Sequence, residues 1–314
     1  MLGREVTVGT SLGICTETSF DLDISEPLKR ADIALYAAKS EGRGTFRFFK
    51  QGMEMSGERG HVLQHDLDAA LRDGQFELHY QPIFSVESLE PAGFEALLRW
   101  RHPQLGWVSP ADFVPVAEKT GQIVQIGEWV LNKACSDIAR LPTDTFLAVN
   151  VSPLQLQQGD FPRKLKSILA THGVPPSRLE LELTESERIC AGECEETLEA
   201  LYSMGVGFAL DDFGTGYSGI SYLLSLPVTK IKIDRSFVMD VEYRADSRIV
   251  IQNLLRLANG LGLKTTAEGI ETENQLEFLK ESGCGLAQGY LLGRPSKIED
   301  IQNTYSNLYP RKVS

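Results

Sequence analysis

Carboxylates carry most of the chemistry this chain could do. Leu179-Glu180-Leu181-Glu182-Leu183-Thr184-Glu185 alternates apolar and charged residues, and Ala209-Leu210-Asp211-Asp212-Phe213 ends a second apolar run in two acids. Both segments read as β-strands that deliver acids where the strand stops. Crowded carboxylates resist ionising unless a cation sits among them, so a divalent metal site is the first implication. Glu95, Asn150, Glu182, Asp211, Asp212 and Glu268 offer oxygen donors only, a set suited to Mg²⁺, Mn²⁺ or Ca²⁺. That many acids could hold two ions about 3.5–4 Å apart, which would activate a bridging water and stabilise charge growing on a phosphodiester. Lys232 would stand among them. It could orient the attacking water or stabilise developing charge; the plainer alternative is an ion pair with Asp234.

The elements that must position these residues are legible as well. Strands are expected at Phe76–Gln81, Gly93–Leu98, Phe146–Val151, Leu179–Leu183, Gly207–Asp211, Ile231–Asp234, Thr265–Glu268 and Leu286–Tyr290, with helices between most of them. One helix is expected to begin at a capping box, Ser109-Pro110-Ala111-Asp112, and another to run through Leu254–Leu263 and end near Gly260. About eight strand–helix units in roughly 250 residues fit an α/β fold of the (β/α)8 barrel type. A doubly wound open sheet is the alternative. Barrel active sites lie at the C-terminal strand ends, and near those ends stand Gln81, Glu95, Asn150, Glu182, Asp211, Asp212, Lys232, Asp234, Glu268 and Gln288.

Residues 1–50 differ in character. Val6 and Val8 suggest a strand, Leu28, Ala31, Leu35 and Ala38 a helix, and Thr45–Phe49 another strand. This strand–helix–strand piece is too small to hold a core alone. Residues 51–60 (QGMEMSGERG) read as a linker, and the strand–helix alternation begins near residue 61.

Composition narrows the function classes. The 314 residues carry a net charge of −12, which argues against nonspecific binding to a nucleic-acid duplex. Five scattered cysteines without a CxxC pair read as reduced thiols of a cytoplasmic protein. No apolar run is long enough to span a bilayer, although a membrane anchor could lie upstream in a longer parent chain. Gly214-Thr215-Gly216-Tyr217-Ser218-Gly219 fits the dinucleotide-binding pattern, but Asp211 and Asp212 directly before it would repel a pyrophosphate. Ser218 is not in a nucleophile elbow, because Ile220 occupies the last position. The histidines form no metalloprotease motif. Glycosidase chemistry needs only two acids and usually aromatic sugar platforms, which are not evident here.

Assembled, these residues resemble the EAL-domain cyclic di-GMP phosphodiesterases over about residues 61–300. The naming motif stands as Glu95-Ala96-Leu97-Leu98-Arg99-Trp100. It is accompanied by Tyr80-Gln81-Pro82-Ile83, Asn150-Val151-Ser152, Glu182-Leu183-Thr184-Glu185, Asp211-Asp212-Phe213-Gly214, Lys232-Ile233-Asp234-Arg235, Ala267-Glu268-Gly269-Ile270-Glu271 and Gln288-Gly289-Tyr290. The resemblance implies a barrel that hydrolyses cyclic di-GMP to linear pGpG with Mg²⁺ or Mn²⁺. The six oxygen-donor residues become its metal ligands, and Glu95, Lys232, Asp234 and Glu268 its catalytic group. Gln81, Arg99, Gln288 and Glu271 fall at substrate-binding positions. Glu185 becomes the anchor of a glycine-rich loop at 214–219 that is linked to homodimer contacts. Members that lost an acid act as catalytically silent receptors; all of these acids are present here, which favours the enzyme.

Residues 1–50 are similar to the C-terminal part of a GGDEF diguanylate cyclase domain, through Val6-Thr7-Val8-Gly9-Thr10-Ser11-Leu12-Gly13-Ile14 and Ala31-Asp32-Ile33-Ala34-Leu35-Tyr36-Ala37-Ala38-Lys39. The signature loop of that domain is absent from the sequence, so cyclase activity is not expected of it. The expected organisation is therefore a GGDEF-like fragment at 1–50, a linker at 51–60 and an EAL barrel at 61–314.

Overall fold

A computed structural model describes residues 10–16, 25–40, 45–49, 53–141, 144–184, 194–214 and 220–308. The chain divides into two compact units, residues 1–69 with 111–116, and residues 70–110 with 117–314.

In the first unit, β1 (Leu12–Ile14) and β2 (Phe46–Phe48) pair in parallel, with Leu12 beside Phe46, and α1 (Ser25–Ser40) joins them. A parallel pair needs such a crossover. Gly13 lets the helix lie directly on the strand, because a Cβ there would sit 2.0 Å from the Ala31 carbonyl oxygen. Ala34 and Ala38 are fully buried on that side of α1. The strand expected around Val6 and Val8 lies outside the described residues. The stretch read as a linker is helical: α2 (Met53–Arg72) starts inside it. Its Met, Glu and Arg residues are strong helix formers, which offsets a cost of about 1 kcal/mol for each internal glycine.

The second unit contains all eight expected strands. From Phe76 the chain runs β3 (Phe76–Ser85), β4 (Pro91–His102), β5 (Gly106–Val108), α3 (Pro110–Thr120, whose residues 111–116 belong to the first unit), α4 (Ile123–Ile138), β6 (Phe146–Asn150), α5 (Pro153–Leu156), α6 (Phe161–His172), β7 (Leu179–Thr184), α7 (Glu195–Ser203) and β8 (Gly207–Phe213). There follow α8 (Ile220–Ser225), β9 (Lys230–Ile233), α9 (Arg235–Met239), α10 (Ala245–Gly260), β10 (Lys264–Ala267), α11 (Glu273–Glu281), β11 (Leu286–Ala287) and α12 (Ile298–Leu308). The strand order is β3-β11-β10-β9-β8-β7-β6-β4, and pairing of β3 with β4 closes the barrel, with β5 added outside on β4. This settles the barrel over the open sheet.

The barrel is mixed rather than all parallel. β3 runs antiparallel to both β4 and β11. Only a short turn separates Ser85 from Pro91, and a parallel return would need a crossover of about a dozen residues. The expected helix start at Ser109 is present without the serine's capping bond. Ser109 is the extended N-cap and Pro110 opens the helix, but the serine side chain makes no cap hydrogen bond. A capping box does form at α11, where Thr272 Oγ1 accepts from the Gln275 amide and Gln275 Oε1 accepts from the Thr272 amide.

Alternation along the parallel strands divides the barrel wall. Leu181, Leu183, Phe208, Leu210, Ile231 and Ile233 are each at most 1% exposed, while Glu180, Glu182, Asp211, Lys230 and Lys232 occupy the opposite phase. One large apolar cluster joins Ile233, Val238, Ile251, Leu255, Ile270 and Leu279. Among the described residues no helix is long and apolar enough to cross a membrane.

Candidate metal centre

Strand ends and register bring the acids together. Asn150 ends β6 and is the lateral partner of Glu182 on β7; Thr184 on β7 partners Asp211 on β8. Lys232 lies one residue before the end of β9, and Glu268 and Gln288 directly follow β10 and β11. Gln81 and Glu95 depart from expectation: both lie well inside long antiparallel strands, where they face each other as lateral partners. They reach the centre because β4 runs on past it into the hairpin with β5.

Asp211 and Asp212 pose a geometric problem, since consecutive strand residues point to opposite faces. The register between β8 and β9 shifts between Leu210 and Phe213, and Asp212 adopts a left-handed φ of 53°. A bulge of this kind re-aims a side chain. Oxygens of Asp211, Asp212 and Glu268 all lie within 4.8 Å of one another.

Lys232 is the hub. Its Nζ lies 2.7 Å from Glu268 Oε1, 2.8 Å from Glu182 Oε2, 3.2 Å from Asp211 Oδ1 and 3.8 Å from Glu95 Oε2. The pairing with Asp234 considered from sequence is replaced by these contacts; Asp234 instead caps α9 by accepting from the Ser236 amide at 3.0 Å. Asn150 Nδ2 donates to Glu95 Oε1 at 3.0 Å and to Glu182 Oε2 at 3.2 Å. Gln288 Nε2 donates to Glu95 Oε2 at 2.7 Å and to Gln81 Oε1 at 3.1 Å. Arg99 is half-buried and its Nη1 donates to the Leu98 carbonyl oxygen. Glu271 is exposed, and its backbone amide, not its carboxylate, is engaged, by Gln275. Glu185 and residues 215–219 of the glycine-rich loop lie outside the described residues.

The donor set fits a hard divalent cation. Glu182 Oε1 is buried with no hydrogen-bond partner, an arrangement that is costly for a carboxylate oxygen. One ammonium also serves four acids, and the strain appears in their protonation. Burial pushes Glu182 well above the usual carboxylate range, with Glu95, Asp211 and Glu268 adding repulsion against the pull of Lys232. Burial likewise raises Glu268 to about 7, and burial plus Asp211 and Asp234 raises Asp212. Burial also opposes ionisation of Glu95, but Lys232 and the amides of Gln288 and Asn150 more than offset it, so Glu95 is lowered. Burial disfavours the Lys232 ammonium; the surrounding carboxylates overcome this and raise it.

Sequence reasoning missed a second ion pair one layer deeper, Lys230 Nζ to Glu180 Oε1 at 2.7 Å. The signal was present as paired spacings, Glu-Leu-Glu at 180–182 and Lys-Ile-Lys at 230–232.

A mixed (β/α)8 barrel with an oxygen-donor, lysine-centred cluster at its strand ends defines a class of metal-site barrels. Within it, residues 64–295 match the EAL domain family, to which the chain belongs. It is 42% identical over 304 residues to the bifunctional diguanylate cyclase/cyclic di-GMP phosphodiesterase MucR of Pseudomonas aeruginosa, covering 95% of this chain and 44% of MucR. It is 37% identical over 305 residues to the cyclic di-GMP phosphodiesterase NbdA of the same species, covering 96% and 39%. The chain thus spans less than half the length of either relative. The solved PaMucR phosphodiesterase in complex with c-di-GMP superposes with a TM-score of 0.71 at 43% identity, over 76% of this chain and 99% of that one.

Proposed function

We propose that this chain hydrolyses cyclic di-GMP to linear pGpG using two Mg²⁺ or Mn²⁺ ions held by Glu95, Asn150, Glu182, Asp211, Asp212 and Glu268. The observation that carries this reading is the single Lys232 ammonium shared among four carboxylates at the barrel mouth. Bound divalent ions would supply Lewis acidity and a hydroxide-like nucleophile. The chain's own residues do the rest. Glu182 and Glu268 hold the Lys232 ammonium where it can orient a water and meet negative charge developing on a phosphate oxygen. Gln288 and Gln81 form a hydrogen-bonded pair against Glu95 that fixes the edge of the site. Asp234 is assigned to the catalytic group with Glu95, Lys232 and Glu268, Arg99 and Glu271 to substrate contact, and Glu185 to anchoring the 214–219 loop. Water oxygen bonds to phosphorus as one P–O bond to sugar breaks, and the departing oxygen takes a proton.

The same reading places an EAL barrel at 61–314 and a GGDEF-like fragment at 1–50, supported by the parallel β1–β2 pair around α1. It includes a homodimer, supported by the exposed side chains of Leu224, Met239, Tyr243 and Ile249 on α8, α9 and α10 and the turn between the last two.

The test is incubation of the protein with cyclic di-GMP and Mg²⁺ or Mn²⁺, followed by chromatography. Linear dinucleotide that disappears with chelator is the expected result. Tight binding without turnover identifies a receptor instead, and neither binding nor turnover refutes the assignment.

A further inference from the structure

The deeper ion pair has a geometry that bears on Lys232. Glu180 and Glu182 share one face of β7, and Lys230 and Lys232 share one face of β9, each two residues apart and hence about 6.6 Å along the strand. The strand between them, β8, places Ala209 as lateral partner of both Glu182 and Lys230. Its methyl group is small enough for ion pairs to cross above it. Two such pairs therefore stack within the barrel, Lys232–Glu182 at 2.8 Å in the upper layer and Lys230–Glu180 at 2.7 Å in the lower. Lys230 is 2% exposed and Glu180 is 8% exposed, with Lys230 Nζ 3.8 Å from the centre of the Phe146 ring.

Neither layer is independent of the other. Lysine is a flexible four-carbon stem with a mobile charge, and the charge of Lys230 acts on both Glu182 and Lys232. A buried carboxylate stripped of its partner is strongly unfavourable, and is relieved either by taking up a proton or by drawing in a cation within reach. Cations at the barrel mouth would also repel the Lys232 ammonium toward the interior.

We propose that Glu180–Lys230 is a positioning pair: Lys230 occupies the lower carboxylate and blocks the inward path, so that Lys232 stays committed to the acid centre at the mouth. This rests on the proposed phosphodiesterase reading only for its kinetic arm.

The experiment compares Lys230→Met with the double variant Glu180→Gln/Lys230→Met, by cyclic di-GMP kinetics and by crystallography. In Lys230→Met the orphaned Glu180 draws Lys232 inward, so kcat falls about 100-fold while KM stays within about threefold. In crystals of that variant, Lys232 Nζ moves from Glu268 and Asp211 to Glu180. In the double variant no lower carboxylate competes, and kcat returns to within about fivefold of the native chain. A packing role predicts no such recovery at fixed KM. Native kcat in Lys230→Met, an unmoved Lys232, or a folded double variant as slow as the single overturns the proposal. Should Lys230→Met fail to fold, Lys230→Gln retains a donor for Glu180 without the charge and carries the same expectation at about tenfold. A native chain that leaves cyclic di-GMP intact refutes the proposed activity, while the position of Lys232 in the crystals still decides the positioning role.

Discussion

At the scale of single residues, the centre is an excess of acid balanced by one lysine. Glu95 touches Asn150, Gln288 and Lys232 at once. Its replacement by Ala is expected to weaken divalent-ion binding and lower turnover by at least about 10³-fold, read by calorimetry and by product formation; full activity in Glu95→Ala would remove it from the ligand set. Glu268, raised to about 7, gives the site a pH dependence. A carboxyl with a higher pKa in the native state than in the unfolded chain favours folding while it holds its proton. In cation-free protein that contribution is present near pH 4.5 and lost as pH rises to about 7. Cation binding runs the other way, because the ion must displace the proton. Mn²⁺ affinity should therefore climb between pH 6 and 8, with proton release visible as buffer-dependent heat. A pH-independent affinity would place the ion elsewhere. Ca²⁺, larger and looser in coordination, is expected to bind yet fail to support turnover at the Mg²⁺ rate.

At the scale of elements, backbone exceptions place the functional groups. The bulge in β8 with Asp212 at positive φ turns two neighbouring acids to one site. After β11, Gly289 packs so closely on the segment following β10 that a Cβ would lie 2.1 Å from the Ile270 carbonyl oxygen and 2.2 Å from its nitrogen. Gly289→Ala should thus cost about 1–3 kcal/mol of stability. It should also displace the adjacent Gln288, raising KM for the dinucleotide as thermal unfolding shifts downward. An unchanged melting temperature would mean the turn relaxes freely. The eight strands of the barrel were legible because short apolar stretches, several of them alternating with charged residues as at 179–185 and 230–234, carry the period of a strand. Their directions were not: the reversed β3 follows from the short turn after Ser85, and pairing partners lie far away in the chain. The helical start at Met53 was hidden by the three glycines, Gly52, Gly57 and Gly60, that made the segment look like a linker.

At the scale of the whole molecule, cation binding and folding are linked. An ion present at about 100 times its Kd adds about 2.7 kcal/mol to stability. Saturating Mn²⁺ should therefore raise the melting temperature by several degrees, and Lys232→Met should enlarge that rise, since the cation-free acids then lack their central counter-charge. Calorimetry with and without chelator measures both, and no shift in either protein would contradict a cation site at this centre. Sequence alone determined which residue types stand at the strand ends and hence the oxygen-donor chemistry, because strand periodicity and residue identity are local properties of the chain. It also carried the family resemblance in ordered motifs. Only the tertiary structure decided that Lys232 serves Glu182, Glu268, Asp211 and Glu95 rather than its neighbour Asp234, and that a second ion pair lies beneath it. Those choices depend on lateral register between strands about 50 residues apart in sequence, which is fixed by closure of the barrel rather than by any local pattern.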